Sequence, residues 1–492
     1  MSLPGLSLPG LTSSAATPQP SSHAAPTALA PPRTEELSPR SELRFEVAFN
    51  KPYKVRLLRG TAEIFGTELA PNIVYNFTGI KGAIFTWHGC TLELQGDAES
   101  EYVGTETEAM IEWMNVHGML ETVREESGAQ DGGPRVLVMG PDGSGKSSLV
   151  KCLTAWALKV GRTPTVVNLD SREGVLGLPG SLSAVTFTTL LDVEEGEGWG
   201  SSPISGPTGI PTKTPLVYHY PFASPDDNSS MFKALTTRAA LAVTSKMEET
   251  SEAVSKASGI IIDTPGSLNT PRNNYEQALH IISEFSINVL LVLGSERLYN
   301  DMARRFSNPT KTNNYGDETI TVLRISTTGG AINRDEGFMK LSRQQQIKSY
   351  FFGDARTPLN PHAQTYDFGD LHIYKSVDPL AAQTSLSFLP GMDDDDDEIS
   401  GGGKSTSGGA GSMFEKVTPG LGMANAVLAI KFAPGNASQE NIRDSCVMGF
   451  VYVAEVDETR KKVRFLAPHP SRWGDRALVW GSWPEGVGDL VA

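Results

Sequence analysis

Residues 136–148 constrain the fold of this chain more than any other stretch. The apolar run Val136–Met139 is followed by Gly140-Pro-Asp-Gly-Ser-Gly-Lys-Ser-Ser148, which has the form G-x-x-x-x-G-K-S. Apolar residues then recur at helical spacing up to Val160, and Gly161 follows where a C-terminal cap belongs. A strand, this loop and a helix together form a phosphate-binding P-loop, and the context on both sides favours it over an ordinary glycine-rich turn.

The residue types of this loop suit a nucleoside triphosphate. Glycines allow backbone N–H groups to close around phosphate oxygens, and the N-terminus of the following helix adds partial positive charge. Lys146 is placed to reach the β- and γ-phosphates, and the Ser147 hydroxyl is a ligand type that Mg²⁺ accepts. The residues predicted to bind the nucleotide are Gly143, Ser144, Gly145, Lys146, Ser147 and Ser148.

Length, charge and cysteine content exclude several classes of protein. A chain of 492 residues is too long for a single core, so about three domains are expected. The formal net charge of −15 argues against a broadly basic surface for nucleic acid. Three widely separated cysteines indicate neither a disulfide framework nor a zinc site. The N-terminus lacks the pattern of a signal peptide and the apolar runs are strand-sized, so we expect no membrane span and a location in the cytosol or nucleus.

The N-terminal part of the chain divides into a tail and a β-rich domain. Residues 1–38 are rich in Pro, Ser, Ala and Thr and are predicted to be a disordered tail. Between residues 39 and 124, short β-rich runs separated by Gly, Pro and Asn predict a small β-sandwich or barrel. A helical spacing over 106–123 leads into the polar stretch 125–133, which is typical of a linker.

Residues 132–374 are predicted to be the P-loop domain. Strands that alternate with helices predict an α/β fold with a doubly wound parallel sheet, interrupted by a Gly/Ser/Pro-rich loop insert at 194–214. Two predicted strands end in carboxylates, Asp170 and Asp263, at the sheet edge where ligands of such folds bind. Asp263 has the setting of a Walker B element or a GTPase switch. Asp170 is a candidate catalytic or Mg²⁺-binding residue, with an ordinary turn cap as the alternative.

Residues 375–492 are predicted to be a small C-terminal β-rich domain. Its predicted strands lie over 426–432, 447–455 and 462–466. An acidic run and a Gly/Ser-rich stretch at 391–413 contain too few apolar residues to order themselves, so we expect a disordered insert there.

A P-loop alone leaves an ATPase, a GTPase, a kinase and a binding scaffold open. The motif N-K-x-D, with which GTPases recognise guanine, is absent after Asp263, so a GTPase is the less favoured interpretation. A phosphoryl transferase needs a carboxylate to accept the proton of the acceptor and arginines from a mobile lid. Asp170 is the candidate base, and Gly329–Arg343 is the candidate lid.

Several longer strings resemble one family. The chain is similar to the RNA 5′-hydroxyl-kinase family, in particular to the members that serve as a subunit of the pre-mRNA cleavage and polyadenylation factor. The resemblance implies an N-terminal β domain, a central P-loop kinase-like parallel sheet and a small C-terminal domain, with ATP as ligand and the adenine contacted at Glu42 and Lys81. Without it, both side chains would be interpreted as exposed charges. The strings that carry it are Gly60–Leu69, Phe85–Cys90, Pro215–His219, Ser295–Asn300, Thr328–Gly330 and Ser349–Gly353.

The departures from the active members are as informative as the resemblance. Active relatives have Leu-Asp-x-Gly-Gln where this chain has Leu169–Glu173, and Asn-Thr-x-Gly-Trp where it has Asp263–Ser267. Their lid supplies two arginines five residues apart, whereas here Arg334 is followed by Met339. The resemblance implies that the tryptophan of this second motif stacks on the RNA end, and Ser267 stands in its place here. Loss of such a stacking aromatic removes about 1–3 kcal/mol of contact with the base. A missing transition-state arginine slows phosphoryl transfer by about 10³-fold or more.

These considerations lead to three functional hypotheses. The first is a non-catalytic subunit of the nuclear mRNA 3′-end machinery that holds ATP and Mg²⁺. In this hypothesis Ser147 and Asp170 bind the Mg²⁺ ion. Asp170 and Arg334 are also the candidate vestigial catalytic residues. Its expected partners are the cleavage factor I scaffold subunit that binds the RNA polymerase II tail and other cleavage and polyadenylation factors, with RNA contacted at most indirectly. The second is an active RNA 5′-hydroxyl kinase, in which Arg172, Lys340 or Arg343 has taken over a vacated role. The third is a GTP-dependent switch.

Overall fold

The computed structural model describes residues 30–105, 108–127, 132–174, 177–194, 216–250, 252–306, 320–354, 358–377, 413–470, 473–488 and 490. The predicted inserts at 194–214 and 391–413 lie outside these residues except for Glu194 and Met413. Within the described ranges, no helix combines the length and apolarity needed to cross a membrane.

The N-terminal domain is a β-sandwich, as predicted. One sheet has four antiparallel strands in the order β1-β8-β3-β6, and the other has five in the order β5-β4-β7-β2-β9. Buried and half-buried residues alternate along β3 and β8, because one face of each strand packs on the shared core. The strands are β1 Arg33–Leu37, β2 Ser41–Glu46, β3 Tyr53–Gly60, β4 Glu63–Ile64, β5 Thr67–Glu68, β6 Val74–Phe77, β7 Lys81–Thr86, β8 Cys90–Gln95 and β9 Ser100–Gly104.

The ordered domain begins earlier than the predicted end of the tail at residue 38. Arg33–Leu37 forms strand β1, which pairs with β8 at the edge of the four-stranded sheet. Only Leu37 is buried in this strand, so its sequence has no apolar alternation by which a strand is recognised. Backbone hydrogen bonds to the neighbouring strand form it instead.

The central domain has the predicted α/β architecture around a mostly parallel sheet of seven strands. The order is β13-β12-β11-β14-β10-β15-β16, in which β11, β14, β10, β15 and β16 are parallel and β12 and β13 form an antiparallel extension. The strands are β10 Arg135–Met139, β11 Thr165–Asn168, β12 Ser181–Thr186, β13 Leu216–His219, β14 Ile260–Asp263, β15 Val289–Leu293 and β16 Thr321–Ile325. The helices are α1 Glu108–Glu126, α2 Lys146–Lys159, α3 Ser229–Glu249, α4 Ala253–Ser258, α5 Glu276–Glu284, α6 Glu296–Phe306 and α7 Glu336–Phe352.

Strand β10 lies between β14 and β15, and all its residues after Arg135 are buried on both faces. Because the P-loop follows β10 directly, it emerges at the middle of the carboxyl edge of the sheet. Helix α2 packs against α1. The two helices cover one face of the sheet, and Trp113 of α1 and Trp156 of α2 are buried in the core between them and the sheet.

The C-terminal domain is a mixed sheet of seven strands in the order β17-β22-β21-β20-β23-β18-β19. Its elements are β17 His362–Asp367, β18 His372–Ser376, β19 Phe414–Val417, β20 Val427–Pro434, α8 Gln439–Asp444, β21 Val447–Asp457, β22 Lys462–Ala467 and β23 Arg476–Trp480. The predicted boundary at 374/375 is therefore too late, since β17 and most of β18 precede it. Strand β17 is exposed along most of its length, so its sequence lacks the apolar pattern that would have revealed it.

Lys431 of β20 is a buried charge in the C-terminal sheet. It is 1% exposed, and its ammonium group lies 3.3 Å from the Arg443 carbonyl oxygen. Burial lowers the pKa of Lys431 to about 7, although the nearby Asp444 carboxylate favours the charged form. A lysine with a lowered pKa binds fewer protons in the folded than in the unfolded chain between pH 7 and 10, so its contribution to stability rises with pH in that window.

We expect Lys431→Met to raise the thermal unfolding midpoint at pH 7, because it removes the cost of burying the ammonium charge. The advantage over the wild type shrinks from pH 7 to pH 9, since the wild-type lysine loses its proton in the folded state. Fluorescence-monitored melting at both pH values measures this, with the exposed Lys462→Met as control. A Lys431→Met midpoint below that of the wild type at pH 7 would contradict the prediction.

Candidate functional site

A cavity of about 190 Å³ lies between the N-terminal β-sandwich and the P-loop. Part of its remaining wall is the irregular segment 327–335 between β16 and α7, which we call the lid segment. From Glu336 onward, the predicted lid Gly329–Arg343 belongs to helix α7 instead. Of the predicted site residues, only Ser144 does not line the cavity. Its hydroxyl donates to the Pro141 carbonyl oxygen at 2.8 Å, which braces the loop from within. The predicted residues that line the cavity are Glu42, Lys81, Gly143, Gly145, Lys146, Ser147, Ser148, Asp170 and Arg334.

The P-loop backbone has the conformation that phosphate binding requires. Gly143 and Gly145 have φ angles of +70° and +90°, values that other residues rarely adopt. Gly145 is the N-cap of α2, so the free N–H groups of the first turn point toward the cavity. Lys146 begins the helix, and its ammonium group donates to the Pro141 carbonyl oxygen at 2.9 Å. This cradle fits phosphate groups, because both backbone N–H donors and a cation converge on it.

In the folded chain, Asp263 at the end of β14 lies next to Ser147 of the P-loop. The Ser147 hydroxyl lies near the Asp263 carboxylate and favours its ionised form. Burial raises the pKa of Asp263 to about 6, against the opposing effects of the Ser147 hydroxyl and the Lys146 ammonium group. The Mg²⁺ ligands predicted from the sequence are Ser147 and Asp170, and that assignment stays a prediction. The structure places Asp263, the Walker B candidate of the sequence, next to Ser147. Asp263 and Ser147 together have the arrangement of a Walker B and Walker A pair.

Asp170 also lies at the carboxyl edge, and it does cap a turn: its carboxylate accepts from the Arg172 N–H at 2.9 Å. Burial raises the pKa of Asp170, and the neighbouring Glu173 carboxylate adds to the effect. Among the described residues, no three or more His, Cys, Asp or Glu side chains are arranged to hold a metal ion. Mg²⁺ would therefore need phosphate oxygens and water to complete its coordination, which is its usual mode at nucleotides.

The N-terminal sandwich contributes charged groups that are not simply exposed. Glu42 is 4% exposed and bonded to Arg44, whose guanidinium lies over the Tyr102 ring at 5.5 Å. Lys81 pairs with Glu46 at 2.9 Å, and its ammonium group lies 5.2 Å from the centre of the Phe338 ring.

Glu42 and Lys81 are therefore not exposed charges, since both side chains are largely covered and line the cavity. Their contact with adenine stays a prediction of the family resemblance. Arg44 and Phe338 also line the cavity. The sequence offered no signal for either, because they become part of the cavity wall through contacts between domains.

The lid segment lies directly over the P-loop. A Cβ atom built on Gly143 would be 3.1 Å from the Cα of Asn333, and one built on Gly145 would be 3.8 Å from the Ala331 methyl carbon. A Cβ on Gly330 would be 3.3 Å from Glu42 Oε1, so the lid segment also touches the N-terminal domain. The lid segment therefore lies against both the P-loop and the N-terminal domain.

Arg334, the arginine of the lid, forms an ion pair with Glu173. Burial opposes ionisation of Glu173, but the charge and hydrogen bond of Arg334 outweigh it, with Lys146 and Lys151 adding to the effect. The pKa of Glu173 is therefore lowered. The guanidinium that would stabilise a transferring phosphoryl group is thus bound to a carboxylate of the protein.

The residues that could replace the missing second lid arginine, namely Arg172, Lys340 and Arg343, are not among those that line the cavity. Arg343 pairs with Glu336 and Glu485, each at 2.7 Å, and its guanidinium lies 4.6 Å from the Trp483 ring centre. Lys340 is exposed, and Arg172 pairs with Asp142 at 2.6 Å. In the part of the cavity wall that the structure describes, the arginines are Arg44 and Arg334.

Comparison with known proteins agrees with this architecture. Three family models match consecutive parts of the chain: the N-terminal beta-sandwich domain of polyadenylation factor at residues 36–127, the mRNA cleavage and polyadenylation factor CLP1 P-loop at 140–353, and pre-mRNA cleavage complex II protein Clp1 at 359–485. The third match begins just before β17, which agrees with the corrected domain boundary.

Curated relatives match over their full length. The mRNA cleavage and polyadenylation factor clp1 of Botryotinia fuckeliana is 48% identical, over 95% of this chain and 96% of its own. That of Phaeosphaeria nodorum is 47% identical, over 99% of this chain and 100% of its own.

Among solved structures, the wild-type Clp1p–Pcf11p complex has a chain that is 26% identical, with a TM-score of 0.78 over 92% of this chain and 98% of that one. A second, at 25% identity and a TM-score of 0.77, covers the same shares and is described as showing an extended interface between Pcf11p and Clp1p and the structural basis for ATP loss in a point mutant. On the strength of the family models and the full-length relatives, the chain belongs to the Clp1 family of mRNA cleavage and polyadenylation factors.

Proposed function

We propose that this protein is a non-catalytic, ATP-binding subunit of the nuclear factor that cleaves and polyadenylates mRNA 3′ ends. One observation carries the proposal: a phosphate cradle lies beneath the lid segment, whose arginine is bound to Glu173. The groups that bind a triphosphate are present, whereas Met339 stands where a second lid arginine would be needed. Bound ATP would then stabilise the fold by mass action rather than be consumed.

In this proposal each wall of the cavity has a separate role. The N–H groups around Gly143 and Gly145 and the Lys146 ammonium bind the phosphates. Ser147 and Asp263 hold Mg²⁺, whose charge offsets that of the phosphates, and Asp170 remains a further candidate for that ion. Glu42 and Lys81 contact the adenine from the N-terminal domain, as the family resemblance implies.

The partner side of the proposal is supported by the solved relatives, whose Clp1p chains are bound to Pcf11p. We infer that this chain presents a comparable surface to the scaffold subunit that binds the RNA polymerase II tail, and that it acts in the nucleus. The net charge of −15 supports an indirect relation to RNA, since phosphate contacts favour basic surfaces.

An active RNA 5′-hydroxyl kinase is the second candidate. The observation in its favour is Asp170, a buried carboxylate with a raised pKa beside the P-loop, which is suited to accept a proton from a hydroxyl group. Against it, Arg334 is already paired and the stacking position is occupied by Ser267.

We expect intact ATP to remain bound through purification, because the lid segment covers the cradle. Anion-exchange chromatography of the nucleotide released by denaturing the protein identifies it. Lys146→Ala should weaken binding by about 100-fold, since a charge-assisted contact with phosphate is lost. The control is Lys159→Ala at the exposed end of the same helix. Recovery of ADP, or of no nucleotide, from the wild type would contradict the proposal.

We expect no transfer of the γ-phosphate from ATP to an RNA with a 5′-hydroxyl end above the level of the Lys146→Ala variant, since the arginine of the lid is neutralised. Radiolabelled ATP and gel electrophoresis measure the transfer. Wild-type turnover of about 1 per second, typical of kinases, would establish the second candidate instead. Loss of that turnover in Asp170→Asn would then identify the base.

Lys81→Ala should raise the dissociation constant of ATP by about tenfold, because a charged contact from the N-terminal domain is lost. Titration calorimetry on nucleotide-free protein measures it. The control is Lys54→Ala, a lysine of β3 that does not line the cavity. An unchanged dissociation constant for Lys81→Ala would exclude this side chain from the site.

A further inference from the structure

Two ion pairs join the loop after β11 to the two sides of the nucleotide cavity. The loop comprises residues 170–174, and its neighbouring residues Arg172 and Glu173 point to different partners. Arg172 pairs with Asp142 of the P-loop at 2.6 Å, and Glu173 pairs with Arg334 of the lid segment. The loop therefore connects the floor of the cavity to its cover.

The loop itself is firmly attached to the rest of the protein. Its residue Ser171 accepts hydrogen bonds at its carbonyl oxygen from the Gly180 N–H at 2.8 Å and from the Trp483 indole N–H at 3.1 Å. The Ser171 hydroxyl donates to the Phe222 carbonyl oxygen at 2.9 Å. Because these contacts come from three separate parts of the chain, the loop is a fixed point.

The lid segment is less firmly held. Ile332, Asn333 and Asp335 are exposed, and the segment has no regular secondary structure. Segments with few buried contacts open at the lowest free-energy cost. The Arg334 and Glu173 side chains, in contrast, are 29% and 13% exposed, so water screens this pair less than an ordinary surface pair.

We propose that Glu173 and Arg334 form a latch that holds the lid segment over the P-loop and slows the exchange of bound nucleotide. The proposal rests on the ATP binding proposed above and assigns its regulation to one ion pair. The latch acts with the contact of Asn333 on Gly143, which covers the phosphate cradle only while the lid segment is closed. Nucleotide leaves when the pair opens.

The first test measures the dissociation rate of ATP carrying a fluorescent methylanthraniloyl group, chased with unlabelled ATP. Glu173→Gln keeps the size of the side chain and removes its charge, so we expect the rate to rise about tenfold, the effect of losing one charge-assisted hydrogen bond. Arg334→Gln should have the same effect, and the double variant no more than either alone, because all three break one interaction. Glu68→Gln, which removes the exposed ion pair with Lys159, should leave the rate unchanged.

The second test needs no nucleotide. Amide hydrogen exchange of the nucleotide-free protein should become faster in residues 327–335 of Glu173→Gln and stay unchanged in the P-loop strand β10. A dissociation rate within twofold of the wild type, additive effects in the double variant, or unchanged exchange in the lid segment would each overturn the latch. If the wild type bound no ATP, the proposed function would fail, and hydrogen exchange would still decide whether the pair closes the lid segment.

Discussion

The structure depends on the backbone of one loop being held open toward a cavity. Gly143 and Gly145 adopt left-handed conformations, and the following helix directs its free N–H groups to the same point. A buried strand between two parallel neighbours fixes where this loop begins, and Ser144 and Lys146 both bond to the Pro141 carbonyl oxygen. The other walls of the cavity, from the N-terminal sandwich and the lid segment, are arranged around this cradle.

Charge balance explains why we propose a cation besides Lys146 at the cradle. Asp170, Glu173 and Asp263 all lie at the carboxyl edge of the sheet, and burial disfavours the charged form of each. Glu173 is ionised because Arg334 is beside it, whereas the pKa values of the two aspartates are raised. Triphosphate would add several negative charges to this region. In the proposed function, a divalent ion held by Asp263 and Ser147 would restore the balance.

The sequence was sufficient for those features that local patterns determine. The P-loop, the strand-end positions of Asp170 and Asp263, and the β-sandwich all follow from runs of apolar residues and the glycines between them. Strands β1 and β17 were missed because they are edge strands whose residues are mostly exposed. The pairing of Arg334 with Glu173 joins positions far apart in the chain, so no local pattern contains it. The same holds for Arg44 and Phe338, which become part of the cavity only when the domains meet.

The contacts of Trp483 join the C-terminal domain to the central domain at two places. This residue of the C-terminal domain bonds to Ser171 in the loop after β11, and its ring supports Arg343 of the helix that follows the lid segment. A displacement of the C-terminal domain would therefore shift Ser171 and Arg343 as well, and with them the loop and the helix that border the cavity.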